Sequence, residues 1–149
     1  MSQFEKAKKR LKFLPTGIIV LTVLTAVIHL FLAFVSFWMV STGAAPAGST
    51  PQVLLLFGIL FLLNGIGYLA LVAALYMSRF QRFQRIIRWL LIGFTVLTIV
   101  LWYVIEASNS GLFEYSDKLI EVLLVVLLLI EDWQMVNKRR SSLTQINEG

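Results

Sequence analysis

The sequence predicts an all-α fold, a four-transmembrane-helix bundle with both termini in the cytoplasm. Three observations predict it: four long apolar runs, no period-two alternation, and basic residues that fall, with one exception, on one side of those runs. Of the 149 residues 58% are hydrophobic and 14% charged, and mean hydropathy is +0.83. Soluble domains sit near about 45–50% apolar and about 25% charged. A soluble fold of this size has too little interior for so many apolar side chains, so lipid must solvate part of the chain.

The runs are Gly17 to Val40, Val53 to Met77, Ile86 to Ile105 and Leu119 to Val136. Each approaches or exceeds the roughly 20 residues that a bilayer core requires. Backbone groups in hydrocarbon must bond within their own segment, which makes the runs helices. The fourth is the weakest, because Glu121, Glu131 and Asp132 interrupt it. One membrane domain over 1–149 is expected, with spans at about 17–40, 53–77, 86–105 and 117–136 and a cytoplasmic tail over 137–149. The first run exceeds the 7–15 apolar residues of a leader peptide, so it is read as a retained helix.

Basic residues give the direction. Twelve of the 13 Lys and Arg fall in the N-terminal segment, around the second connection (Arg79, Arg82, Arg85 and Arg88) and in the C-terminal tail. Lys118 alone lies on the other side. The positive-inside bias therefore predicts a multi-pass protein of the cell membrane with both termini cytoplasmic. Trp38, Trp102, Tyr103 and Tyr115 at one set of span ends, and Tyr76, Trp89 and Trp133 at the other, form the expected interfacial belts. The net charge of +5 follows these membrane flanks, so membrane lipid and not nucleic acid is the expected partner. With no cysteine, disulfides, thiolate metal sites and cysteine nucleophiles are excluded.

The connections are plain. Residues 41–51 are small, uncharged and rich in turn formers. The segment Ser78–Arg85 repeats a basic, aromatic and polar unit that suits lipid headgroups. After the second outer loop Ser116 is an apparent N-cap, which would place Asp117 in a first helical turn where the dipole favours a negative charge. The tail from Ser141 reads as frayed.

Ionisable groups at membrane depth are costly, which makes them the candidates for function. Thr22, Thr25, Ala26, His29, Ala33 and Ser36 form a stripe on the first helix, and Asn64, Gly67 and Tyr68 share a face of the second. Thr95, Thr98, Trp102 and Glu106 line up on the third, and Asp117, Glu121, Leu128 and Asp132 on the fourth. His29 and Asn64 each lie 11 residues from an outer span end, or about 16 Å down. The picture is a funnel with Glu106 and Asp117 at its mouth, Glu121 below, and His29, Asn64 and Tyr68 at its floor. His29 reads first as interhelical glue and second as a proton-handling or ligand-binding group. Metal or haem ligation by His29 is the third and least favoured reading, since there is no second histidine and no cysteine; no metal ligand set is assigned and the cofactor is left open. Glu121 can pair with Lys118 three residues earlier, and Glu131 and Asp132 can neutralise Arg85 or Arg88. Gly58, Gly65 and Gly67 read as close-packing positions.

The set His29-Leu30, Leu63-Asn-Gly-Ile-Gly-Tyr68-Leu69, Trp89 with Thr95 and Thr98, and Asp117-Lys118 followed by Glu121 resembles an uncharacterised family of small four-helix prokaryotic integral membrane proteins. The resemblance spans roughly residues 17–133 and implies that the funnel residues belong together, without implying an activity. No phosphate loop, zinc-protease motif, nucleophile–base set or paired carboxylate is present, so an enzyme is not the leading reading. The leading expectation is a non-enzymatic protein that binds a partner protein, lipid or small amphiphile through its polar seam, alone or as a homo-oligomer. A proton or small-solute pathway through the funnel comes second, and a cofactor-dependent membrane enzyme third.

Overall fold

The computed structural model describes residues 3–44, 46, 48–105 and 112–147. Among these the chain is all-α, with α1 over Gln3–Thr42, α2 over Pro51–Tyr76, α3 over Gln84–Ile105 and α4 over Leu112–Asn147. A 3-10 turn at Ser78–Phe83 joins α2 to α3.

Local chemistry explains the ends. At the end of α1, Gly43 adopts φ 69°, and the Ala44 N–H donates to the Met39 carbonyl at 3.1 Å. This is the glycine-terminated cap that satisfies a last-turn carbonyl. Thr50 caps α2 by accepting from the Val53 N–H, and Pro51 follows at the first helical position, where it needs no donor. Gln84 donates through Nε2 to the Leu75 carbonyl at 3.3 Å and so stitches the start of α3 to the end of α2.

Three helical segments are long and apolar enough to cross a membrane: Phe13–Thr42, Pro51–Tyr76 and Ser78–Val104. α4 is not among them, because Asp117, Lys118, Glu121, Glu131 and Asp132 break its apolar run. Direction matters more than count here. Asp117, Glu121 and Glu131 are buried, whereas Leu119, Val122, Leu123, Val126, Leu129, Ile130 and Trp133 are exposed. The surface of α4 is thus more apolar than its sequence average.

Three readings change. α1 runs on from the apolar segment towards the N-terminus to Gln3, and α4 continues to Asn147, where a frayed tail from Ser141 was expected. At 40 and 36 residues these helices measure about 60 and about 54 Å, well beyond a hydrocarbon core of about 30 Å. α4 begins at Leu112, so Ser116 is not a cap and Asp117 lies past the first turn. The dipole rationale for Asp117 falls with it.

α1 packs against α2 and α4, and α3 also packs against α2 and α4, so the four helices close a ring with α1 and α3 on a diagonal. Small residues bring α1 and α2 together. A Cβ on Gly65 would lie 2.7 Å from Leu30 Cγ and 3.0 Å from the Ala26 carbonyl, and one on Gly58 would lie 2.9 Å from Phe37. Without a hydrophobic drive between helices in lipid, such close van der Waals contact carries association. Ile18, Leu75, Leu91, Leu124 and Leu128 fill the centre. Nearly every outward position carries a large apolar side chain, including Phe31, Phe34, Leu56, Leu63, Leu90 and Val104.

Candidate functional site

Around the middle depth of the helices, on the 43–50 side of Arg88, a polar cluster occupies the centre. Glu121 on α4 is fully buried. Tyr68 on α2 reaches it across the second diagonal of the ring: its phenol donates to Glu121 Oε1 at 3.1 Å. Thr98 Oγ1 on α3 lies 3.1 Å from the same oxygen, 3.0 Å from the Tyr68 hydroxyl and 2.8 Å from the Thr95 carbonyl. A threonine has one proton to give, and the carbonyl is the nearest acceptor. Tyr68 is therefore the donor that Glu121 Oε1 holds. The Lys118 ammonium donates to Glu121 Oε2 at 2.8 Å and pairs with Asp117 Oδ2 at 2.9 Å.

His29 comes from α1, buried at 2% exposure. Its Nδ1–H donates to the Thr25 carbonyl one turn earlier at 2.8 Å, a bond within α1. In the neutral ring this leaves Nε2 with the lone pair. Nε2 faces Glu121 Oε1 at 3.8 Å, beyond hydrogen-bond reach. The ring is flanked by Phe61 and Tyr68, with centroids 5.9 and 5.8 Å away.

A cavity of about 400 Å³ adjoins the cluster. His29, Asn64, Thr98, Asp117 and Lys118 give it polar points, and Trp102 lines it too. The rest of the wall is apolar, with Phe57, Phe61 and Phe94 prominent. Leu60, Leu63, Leu97 and Leu101 also line it while remaining about half exposed on the outer surface. The cavity therefore opens sideways between α2 and α3, through the apolar exterior. Two buried polar atoms on residues that line it lack a hydrogen bond among the described residues: Asp117 Oδ1 and Trp102 Nε1.

The structure thus brings His29, Tyr68, Thr98, Asp117 and Glu121 together. Asn64 is half-buried on the cavity wall and makes no hydrogen bond among the described residues. Glu106 lies outside the described residues. The other stripe residues of α1, from Thr22 to Ser36, are all buried. Thr22 and Ser36 return their hydroxyl protons to carbonyls four residues earlier, as polar groups in hydrocarbon do.

A second cluster lies towards the other end. Arg88, 2% exposed, donates through Nε to Glu131 Oε2 at 3.0 Å and through Nη1 to Asp132 Oδ1 at 3.1 Å. The Tyr76 hydroxyl donates to Glu131 Oε1 at 3.4 Å. Of the two partners left open for these acids, the structure selects Arg88. Its burial was not anticipated: in the sequence it is one of four arginines near a connection. The signal was its register, three and seven residues before the buried Leu91 and Thr95. Leu91, Leu124 and Leu128, all fully buried, lie between the two clusters.

Compared with known proteins, the chain matches no family model, no curated protein and no solved structure. The side chains themselves therefore carry the functional reading.

Proposed function

We propose that this chain is a four-helix transmembrane bundle with both termini in the cytoplasm. In this reading it belongs with the small prokaryotic membrane proteins it resembles, and it binds a small amphiphile in the outer half of the bundle without catalysing a reaction. The observation that carries the reading is the sideways cavity of about 400 Å³. Its mouth lies on the apolar exterior, so an occupant would arrive from the lipid phase. Its far wall offers His29, Asn64, Asp117 and Lys118 to a polar head, while Phe57, Phe61, Phe94 and Leu97 would enclose a short apolar tail. The apolar outward face of α4, from Leu119 to Trp133, supports counting it as the fourth span.

A pathway for protons or solutes is the weaker reading. The row Asp117, Lys118, Glu121, Tyr68 and His29 would suit it, but Leu91, Leu124 and Leu128 close the centre before the Arg88 cluster. An enzymatic reading would rest on the Thr98 hydroxyl beside the Glu121 carboxylate, but the nearest acceptor of that hydroxyl's proton is the Thr95 carbonyl. A partner protein or a second copy of the chain would fit the exposed apolar faces, but no observation favours either over lipid.

The test is retention. Full-length protein purified in mild detergent should carry an amphiphile detectable by native mass spectrometry. Leu97→Trp together with Leu101→Trp should expel it with the melting temperature preserved. Equal retention by the filled variant, or none by the parent, rejects the proposal.

A further inference from the structure

We propose that His29, Asp117 and Glu121 form a binding site for one divalent first-row transition-metal ion of the zinc type. The inference goes beyond amphiphile binding and does not depend on it, since it rests on the side of the cluster where Nε2 and Oε1 face each other. The three groups are buried, and each offers a ligand atom within 4.8 Å of the others.

The decisive contact is the unbridged one. With Nδ1–H committed to the Thr25 carbonyl, Nε2 keeps its lone pair and lies 3.8 Å from a carboxylate oxygen of Glu121. Two electron-rich atoms held face to face in a low-dielectric interior repel unless a positive charge lies between them. The separation is too long for a shared hydrogen bond. Ligand atoms at about 2.1 Å on a common tetrahedral zinc stand about 3.4 Å apart, so the Nε2–Oε1 gap closes by a few tenths of an ångström, while the Asp117 oxygen, within 4.8 Å of the other two ligand atoms, has further to move. Asp117 supplies the independent sign: its residue is 5% exposed, and Oδ1 has no hydrogen-bond partner among the described residues.

The surroundings match what such a site needs. A metal-ligating histidine usually gives its other N–H to a backbone carbonyl, as His29 does to Thr25. Glu121 Oε1 is held by the Tyr68 hydroxyl, a donor of the kind that orients ligating carboxylates. Imidazole with two carboxylates favours zinc and its neighbours over magnesium or calcium, which take oxygen ligands alone. The remaining coordination position would face the cavity.

Lys118 supplies the charge logic. Its ammonium now occupies Asp117 Oδ2 and Glu121 Oε2, which leaves Asp117 Oδ1 without a hydrogen-bond partner among the described residues and Glu121 Oε1 facing Nε2. It acts as a counter-cation that keeps two buried carboxylates apart and compensated. A divalent ion neutralises both acids alone, and Lys118 already lines the cavity into which it can turn. Metal and ammonium therefore compete.

The probe is cobalt(II) added to untagged full-length protein in lipid nanodiscs, followed by its visible ligand-field bands and by displacement with zinc(II). One equivalent should bind and survive excess magnesium. His29→Ala and Asp117→Asn should each weaken binding by more than the roughly 10–100-fold typical of losing an outer-shell partner, whereas Tyr68→Phe should fall within that range. Lys118→Met should tighten binding. Absence of stoichiometric binding by the parent protein overturns the site, as does equal binding by His29→Ala. Weaker binding by Lys118→Met overturns the competition. Circular dichroism and melting on each variant show whether a loss reflects unfolding, and the parent measurement decides the site without any variant.

Discussion

Tyr68 is the residue that joins the most elements. From α2 it spans the centre to α4, touches Thr98 on α3 and lies against the ring of His29 on α1. Polar contacts between membrane helices are worth about 0.6 kcal/mol on average and up to roughly 1.7. Tyr68→Phe keeps the ring and loses the hydroxyl, so it should cost within that range by reversible unfolding in bicelles; a loss above 3 kcal/mol would show that the hydroxyl does more than this network implies. Glycine makes the contrast. An added Cβ at Gly65 meets Leu30 and the Ala26 carbonyl, and backbone cannot yield as a flexible side chain can. Gly65→Ala should destabilise by about 1–3 kcal/mol. Gly93 has nothing within 4 Å of its would-be Cβ, so Gly93→Ala should be neutral or stabilising by about 0.5–1 kcal/mol through the helix preference for alanine. Equal melting temperatures for the two variants would refute the close approach of α1 and α2.

α4 shows at the scale of an element why an average misleads. Its acids face inwards and its leucines and valines outwards, so a window along the sequence mixes two surfaces that never meet the same solvent. Its anchor at the far end is Arg88 on α3. Removing one partner of a buried ion pair strands the other charge, at a cost of about 3–5 kcal/mol. Arg88→Met should therefore unfold the protein readily, and adding Glu131→Gln and Asp132→Asn should recover much of the loss. If the triple variant is no better than the single one, the arginine acts through packing alone. Orientation belongs to the same scale. A cysteine at Ser49 should react with an impermeant thiol reagent applied to intact cells, and one at Gln81 should not; the reverse pattern overturns the direction read from the basic residues.

Taken as a whole, the molecule has an exterior of large apolar side chains and two small polar interiors separated by leucines. Water cannot solvate such an exterior, so the protein should stay in the pellet when membranes are washed with alkaline carbonate. Release into the supernatant would contradict a spanning arrangement. The two interiors differ in consequence. The Arg88 cluster is closed on itself, with acids matched to a guanidinium. The Glu121 cluster leaves Asp117 Oδ1 without a hydrogen-bond partner among the described residues and His29 Nε2 3.8 Å from Glu121 Oε1, beside a cavity.

Helical class, the three apolar segments and the inward stripe of α1 were legible from the sequence, because long apolar runs and a 3.6-residue period are local properties of the chain. So were the pairing of Lys118 with Glu121, three residues apart, and the two candidate partners for Glu131 and Asp132. The start of α4 at Leu112 was not, since Ser116 is an acceptable cap taken alone and only the packed helix decides against it. Nor was the burial of Arg88, because residue type says nothing of which way a side chain turns at a helix end. The polar stripes grouped His29, Tyr68, Asp117 and Glu121 in one funnel, but the cavity, the diagonal reach of Tyr68 and the 3.8 Å approach of His29 to Glu121 join residues roughly 30–90 positions apart. Such distances are set by how closely α1 and α2 approach at Gly58 and Gly65, and that approach exists only once the helices have packed.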